Sequence, residues 1–383
     1  MPNSIAKDLT TTAFAFRGYN VANLGRTPEL LAHSVYGESV ERHLRRASDL
    51  YRATTGQDSD LVERVRQRQE STPASYPEDL ALIVAVELAQ IDILRQHFDV
   101  SIADAQLSVG YSLGEITALV CSGVYDVDSA LPPILDLAHD AQQLGDGVTM
   151  GILFSRGDTL DLDLVQAACV SVTSTGNGSI SISSILSPNS MLLLGQNDTI
   201  DRIKTHLAES YPTRLHIKKD PHHWPPLHST LTRQRNLPNR ASVMLDTIAG
   251  GMQAPTPPIV SCVTGEMSYN GYNSRELIAR WIDQPQRLWD VVSQILSRGV
   301  ETVIHVGPGP NIIPATMSRL SNNVESQMSD GSLTGLGLRA ISRIVRRNRP
   351  WLAPLLSSNT TLLRAPFVEQ VLLEDWLLDN APG

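Results

Sequence analysis

The sequence predicts an α/β protein: a parallel-sheet core interrupted by a ferredoxin-like βαββαβ unit. Two observations carry that prediction. Short apolar stretches that read as buried strands alternate with helical stretches before and after the middle of the chain, the rhythm of a sheet whose strands run parallel. Residues 148–217 change rhythm and run strand, helix, strand, strand, helix, strand.

Residues 13–16 read as a short buried strand. From Pro28 to Gln69 the chain is polar, helical and rich in Arg and Glu, a solvated surface. Pro77-Glu78-Asp79 opens a helix whose apolar residues, 80–94, run almost all round it, which implies burial. Leu107 and Val109 lead into Gly110-Tyr111-Ser112-Leu113-Gly114, and a helix-like run, 115–121, leaves it. The inserted unit reads as strands at 148–154, 180–185, 191–194 and 214–217, with helices at 160–169 and 199–207. Residues 253–258 form a proline-rich connection into a further strand. Gly307-Pro308-Gly309-Pro310 ends another; without the Lys-Ser/Thr of a P-loop it reads as a turn. Residues 313–383, with Arg339, Arg343, Arg346, Arg347 and Arg349, read as helices against the core.

At 383 residues the chain can bury a large core. With 42% hydrophobic and 19% charged residues it has the composition of a globular enzyme. A net charge of −9 and a pI near 5.6 argue against nucleic acid as a partner. Three cysteines, Cys121, Cys169 and Cys262, have no paired spacing and fit reduced structural thiols; no metal site is expected. No apolar leader follows Lys7 and Asp8, and the longest clean apolar run, 80–86, stops at Glu87, far short of a span. The protein therefore reads as cytoplasmic, with no membrane partner.

The segment around Ser112 is the layout of a nucleophile elbow. A strand turns sharply into a helix, the glycines remove side chains that would clash, and the serine hydroxyl stands on an exposed corner. An ordinary turn serine is the bland alternative. A serine nucleophile needs a base, and His228 follows Trp224-Pro225-Pro226-Leu227, where the prolines hold the backbone extended. His222 and His223 lie nearby, and spacing alone does not choose among the three. The cationic run Arg214, His216, Lys218, Lys219, His222, His223 fits either docking of an acidic partner or a solvated turn.

Six segments, in order over roughly residues 13–312, resemble the malonyl-CoA:acyl-carrier-protein transacylase family, the acyltransferases of fatty-acid and polyketide synthesis. They are Ala13-Phe14-Ala15-Phe16-Arg17-Gly18-Tyr19-Asn20; Gly110-Tyr111-Ser112-Leu113-Gly114-Glu115; Leu186-Ser187-Pro188-Asn189 through Leu194-Gly195; Pro226-Leu227-His228-Ser229; Ile259-Val260-Ser261-Cys262-Val263-Thr264-Gly265; and Ile304-His305-Val306-Gly307-Pro308-Gly309-Pro310. The resemblance implies an α/β-hydrolase-like large subdomain, 1–147 and 218–383, with a helical extension at 313–383. It also implies a ferredoxin-like small subdomain at 148–217. Ser112 is the nucleophile it implies and His228 the base, with an oxyanion held by the backbone N–H groups of Leu113 and Tyr19. The implied reaction is acyl transfer from acyl-CoA to the phosphopantetheine thiol of an acyl carrier protein, with no bound cofactor. A thioester hydrolase using the same pair, or a catalytically silent carrier-binding module, are the alternatives.

The departures concern the acyl pocket. The family's malonyl-specific members carry an arginine some 25 residues after the serine; here that count falls on Leu137, with His139 a small slip away. No Lys or Arg lies between Arg95 and Arg156. Tyr19 replaces a family Gln, Leu186 a family Asn, and Arg17 a family Pro. Arg17, Gly18, Tyr111, Leu137, His139 and Leu186 are the expected substrate-binding residues, with Arg17 a substitute clamp. An acyl group without a free carboxylate is the expected preference, since burying an unpaired carboxylate is costly.

Overall fold

The computed structural model describes residues 5–208, 211, 214–329 and 351–382. Its strands are β1 (Thr12–Phe16), β2 (Leu107–Gly110), β3 (Val148–Ser155), β4 (Ile180–Ser187), β5 (Ser190–Gln196), β6 (Leu215–Asp220), β7 (Ile259–Val260), β8 (Thr302–Val306) and β9 (Glu369–Leu372). Five of them make a parallel sheet in the order β7-β2-β1-β8-β9. β1 is central and every residue of it is buried. Alternation divides its side chains: Phe14 and Phe16 enter one core with the Tyr76–Phe98 helix, Ala13 and Ala15 the other with the Leu288–Ser297 helix. A strand covered on both faces needs apolar residues, which is why Ala13-Phe14-Ala15-Phe16 reads as a continuous run.

The Tyr76–Phe98 helix is buried on nearly every side, as its sequence predicts. Pro77 sits in its first turn with Glu78 and Asp79, Arg95 and His97 in its last, which complements the helix dipole. The second sheet, β4-β5-β3-β6, is antiparallel throughout, and the Leu162–Ser174 and Thr199–Ala208 helices cover one face. That is the strand order of a ferredoxin-like unit. Its first helix begins later than the sequence suggests because the Asp161 side chain caps the N–H groups of Asp163 and Leu164.

The C-terminal segment departs from the helical expectation. β9 joins the sheet edge, pairing Thr302 with Glu369 through His305 with Leu372. Four residues with weak alternation carry no strand signal of their own; the exposed edge of β8 supplies it. The arginines at 339–349 lie outside the described residues.

Parallel strands end on one side of the sheet. Phe16 is in register with both Gly110 and Val306, so the loops after β1, β2 and β8 leave together at the carboxyl edge. In open α/β sheets that edge is where ligands bind.

Candidate active site

Ser112 stands between β2 and the Leu113–Cys121 helix with φ 55° and ψ −122°, a conformation that non-glycine residues rarely hold. The glycines around it are required by close approach. A Cβ on Gly110 would collide with the backbone of Gly114 and Glu115, and one on Gly114 with the carbonyl of Phe16. The helix therefore crosses directly over the end of the sheet, and the serine hydroxyl is lifted clear of both.

The chain brings His228 to this corner. Its Nε2 lies 2.7 Å from Ser112 Oγ. Its Nδ1 lies 2.7 Å from the main-chain oxygen of Trp281, which can only accept, so Nδ1 carries the proton and Nε2 keeps its lone pair for the serine. The backbone N–H of His228 donates to Ile282 O at 2.8 Å, fixing its left-handed φ of 58°. His222 and His223 lie exposed on the turn after β6.

Two partners of this pair carry no signal in the sequence. Trp281 ends the Ser274–Trp281 helix; its carbonyl holds the imidazole while its indole N–H donates to Ser112 O at 3.0 Å. Gln286, fully buried, accepts the backbone N–H of Ser112 at 3.1 Å through Oε1. Gln286 also joins the small sheet, its N–H donating to Ser183 O and its carbonyl accepting from Ile185 N. Glu115 ties the elbow helix to the strand beyond: its carboxylate accepts from Cys262 N at 3.1 Å and from the Tyr269 hydroxyl at 2.8 Å. Burial raises its pKa to about 7.

The other sequence-selected residues divide. Tyr111 and Leu186 meet in one apolar cluster with Ile152, Leu192 and Met267. Gly18 abuts the elbow, and Tyr19 packs edge-on against Tyr76 and Trp224, with ring centroids 4.8 and 5.7 Å away. Leu137 is buried in the large core, and His139 is exposed and paired with the Gln143 side chain. Arg17 is fully buried, its guanidinium turned to Gly18 O, Pro308 O and Asn23 Oδ1 rather than held free for a carboxylate. Among the described residues no group of His, Cys, Asp and Glu could hold a metal ion, and no helix is long and apolar enough to cross a membrane.

Burial lowers the His228 pKa from 6.5 to about 4, against the smaller raising effect of its bond to Trp281 O. The imidazole is thus neutral, the form a base requires, well below neutral pH. Acylation is expected to stay flat from pH 8 down to about 5, where an ordinary histidine with pKa ~6.5 would be more than nine-tenths protonated. Stopped-flow acylation across that range checks it. Stability moves with pH in the same window. The unfolded chain takes up the proton near 6.5 and the folded one only near 4, so folding free energy is lost as pH falls between them. That difference corresponds to about 3 kcal/mol at His228, with a similar amount at buried His305, also brought down to about 4. Denaturant midpoints at pH 7 and pH 4.5 would show it.

No protein-family model matches the chain. Among curated proteins, a malonyl CoA-acyl carrier protein transacylase of Bacillus subtilis is 24% identical over 278 residues. That alignment covers 70% of this chain and 61% of the relative's length. One from Escherichia coli O157:H7 is 22% identical over 340 residues, 86% of this chain and 99% of that protein. Among solved structures, FabD of Acinetobacter baumannii superposes with a TM-score of 0.63 at 17% identity, covering 93% of this chain and 99% of that one. A malonyl-transacylase solved in complex with its type II polyketide-synthase acyl-carrier protein superposes at 0.62 with 22% identity, covering 80% and 91%. In sequence, at 22–24% identity, and in fold, the chain is similar to the malonyl-CoA:acyl-carrier-protein transacylases.

Proposed function

We propose that the protein moves an acyl group from acyl-CoA to the phosphopantetheine thiol of an acyl carrier protein through an acyl-Ser112 intermediate. The observation that carries this reading is the 2.7 Å Ser112–His228 contact, with the imidazole tautomer set by Trp281 O. His228 Nε2 takes the hydroxyl proton as Oγ attacks the thioester carbonyl; the tetrahedral intermediate collapses, and the protonated imidazole returns the proton to the departing CoA thiolate. The carrier thiol then attacks the acyl-serine by the same steps in reverse order. The backbone N–H groups of Leu113 and Tyr19, neither of which has an acceptor among the described residues, would hold the oxyanion. The reading uses no bound cofactor or metal. The relatives' names support the acyl donor and acceptor classes. Free, largely buried cysteines suit a cytoplasmic setting.

Intact-mass measurement after incubation with a panel of acyl-CoAs tests the reading. An acyl adduct on Ser112 that transfers to a carrier thiol supports it; release of free acid at the same rate with and without carrier would make the protein a hydrolase, and no adduct on any acyl-CoA would make it a binding module. The same panel tests acyl preference. Leu137 stands where an arginine clamp is expected, and Arg17 is occupied elsewhere. A charge-assisted hydrogen bond contributes roughly 1.5–3 kcal/mol, about one to two decades at ~1.4 kcal/mol per decade. Malonyl-CoA is therefore expected to fall to or below acetyl-CoA or longer neutral acyl-CoAs in kcat/KM. A tenfold preference for malonyl-CoA would refute it.

A further inference from the structure

Arg17 is the most deeply buried cation near the elbow, and acyl transfer as proposed leaves it without a task. It follows the last residue of β1, where the central strand's loop begins. Its Nε donates to Gly18 O at 2.8 Å, Nη1 to Pro308 O, and Nη2 to Asn23 Oδ1 at 2.6 Å. Its own backbone N–H is held by Glu87 Oε1 at 2.8 Å. Desolvation brings its pKa down to about 10, so the group remains a cation at neutral pH.

We propose that Arg17 is a positioning residue for the oxyanion site: it holds the Gly18–Tyr19 peptide so that the Tyr19 N–H faces the carbonyl attacked by Ser112. The proposal rests on the acyl-serine reading. In a trans peptide the C=O and the following N–H point in opposite directions. The Gly18 carbonyl is drawn toward a guanidinium anchored on the β8 side, through Pro308, so the Tyr19 N–H is turned to the other side. β2 and Ser112 stand there, because β1 lies between β2 and β8. Gly18 is close enough for that N–H to act: a Cβ on it would lie 3.0 Å from Ser112 Cβ and 2.6 Å from Tyr111 O. A peptide whose oxygen accepts from a cation is polarised, which strengthens its N–H as a donor. The residue read as a clamp for the substrate's carboxylate thereby acts behind the oxyanion loop, through the backbone.

The test separates oxyanion support from general scaffolding. Acylation of Ser112 by p-nitrophenyl acetate passes through an oxyanion; alkylation of a Ser112→Cys variant by iodoacetamide does not. Arg17→Gln is expected to slow first-order acylation about 10²-fold with KM within threefold, as for loss of one oxyanion donor. The same change on the Ser112→Cys background should leave alkylation within twofold. Arg17→Lys keeps the charge without the fork and is expected to lose about tenfold. Acylation within threefold of wild type in folded Arg17→Gln would overturn the proposal, as would equal losses in acylation and alkylation. If Arg17→Gln fails to fold, Arg17→Lys acylating at the wild-type rate would overturn it. Failure of the wild type to acquire the acetyl mass on Ser112 would instead remove the acyl-serine reading, and this proposal with it.

Discussion

Ser112→Ala is expected to abolish acyl-enzyme formation while the fold survives. The substitution removes one oxygen from a residue whose backbone is already fixed at φ 55° by its neighbours. The indole of Trp281 still donates to the residue 112 carbonyl, and Gln286 still accepts the residue 112 N–H, since both bonds are to main-chain atoms. Only the bond to His228 Nε2 is lost. Deleting the nucleophile of a serine–base unit costs on the order of 10⁶-fold in turnover. Intact mass after mixing with acyl-CoA, beside a thermal melt, measures both halves. An alanine variant that still gains the acyl mass would assign the nucleophile elsewhere.

His228→Ala is the second large effect, on the order of 10²–10⁴-fold in acylation rate. The alanine keeps the backbone bond to Ile282 O and loses both ring contacts, leaving Trp281 O without its donor. His222→Ala and His223→Ala, on the exposed turn, should stay within about twofold. Single-turnover acylation of the three variants under one set of conditions distinguishes them. A collapse at His222 or His223 with His228→Ala unimpaired would move the base.

The strand–serine–helix turn at Ser112 was legible in the sequence because its constraints are local. Two glycines flanking a serine, with apolar residues before and a helix-like run after, describe a turn tight enough that the residues explain one another. The inserted unit was legible for the same reason: its strands and helices alternate within seventy residues, and hairpin partners β4 and β5 are neighbours in the chain. Spacing alone did not separate His228 from His222 and His223; the resemblance pointed to His228, whose Nε2 lies 2.7 Å from Ser112 Oγ.

Trp281, Gln286 and the fate of Arg17 belong to the tertiary structure. Trp281 meets Ser112 across 169 residues and Gln286 across 174, through main-chain atoms that any residue type at the partner position would offer. Such bonds leave no residue pattern to read. β9 likewise became a strand because the edge of β8 was open to pair with, at a site its own four residues do not specify. Arg17 could be read as a free cation only while its surroundings were unknown; folding placed Gly18 O, Pro308 O and Asn23 within its reach, and a buried guanidinium must find acceptors. The residues of the chain alone indicated the strand–serine–helix turn at the end of β2 and the two-sheet plan that carries it. Which donors and acceptors surround that turn was decided by packing, because the partners come together only when the loops after β1, β2 and β8 converge at one edge of the sheet.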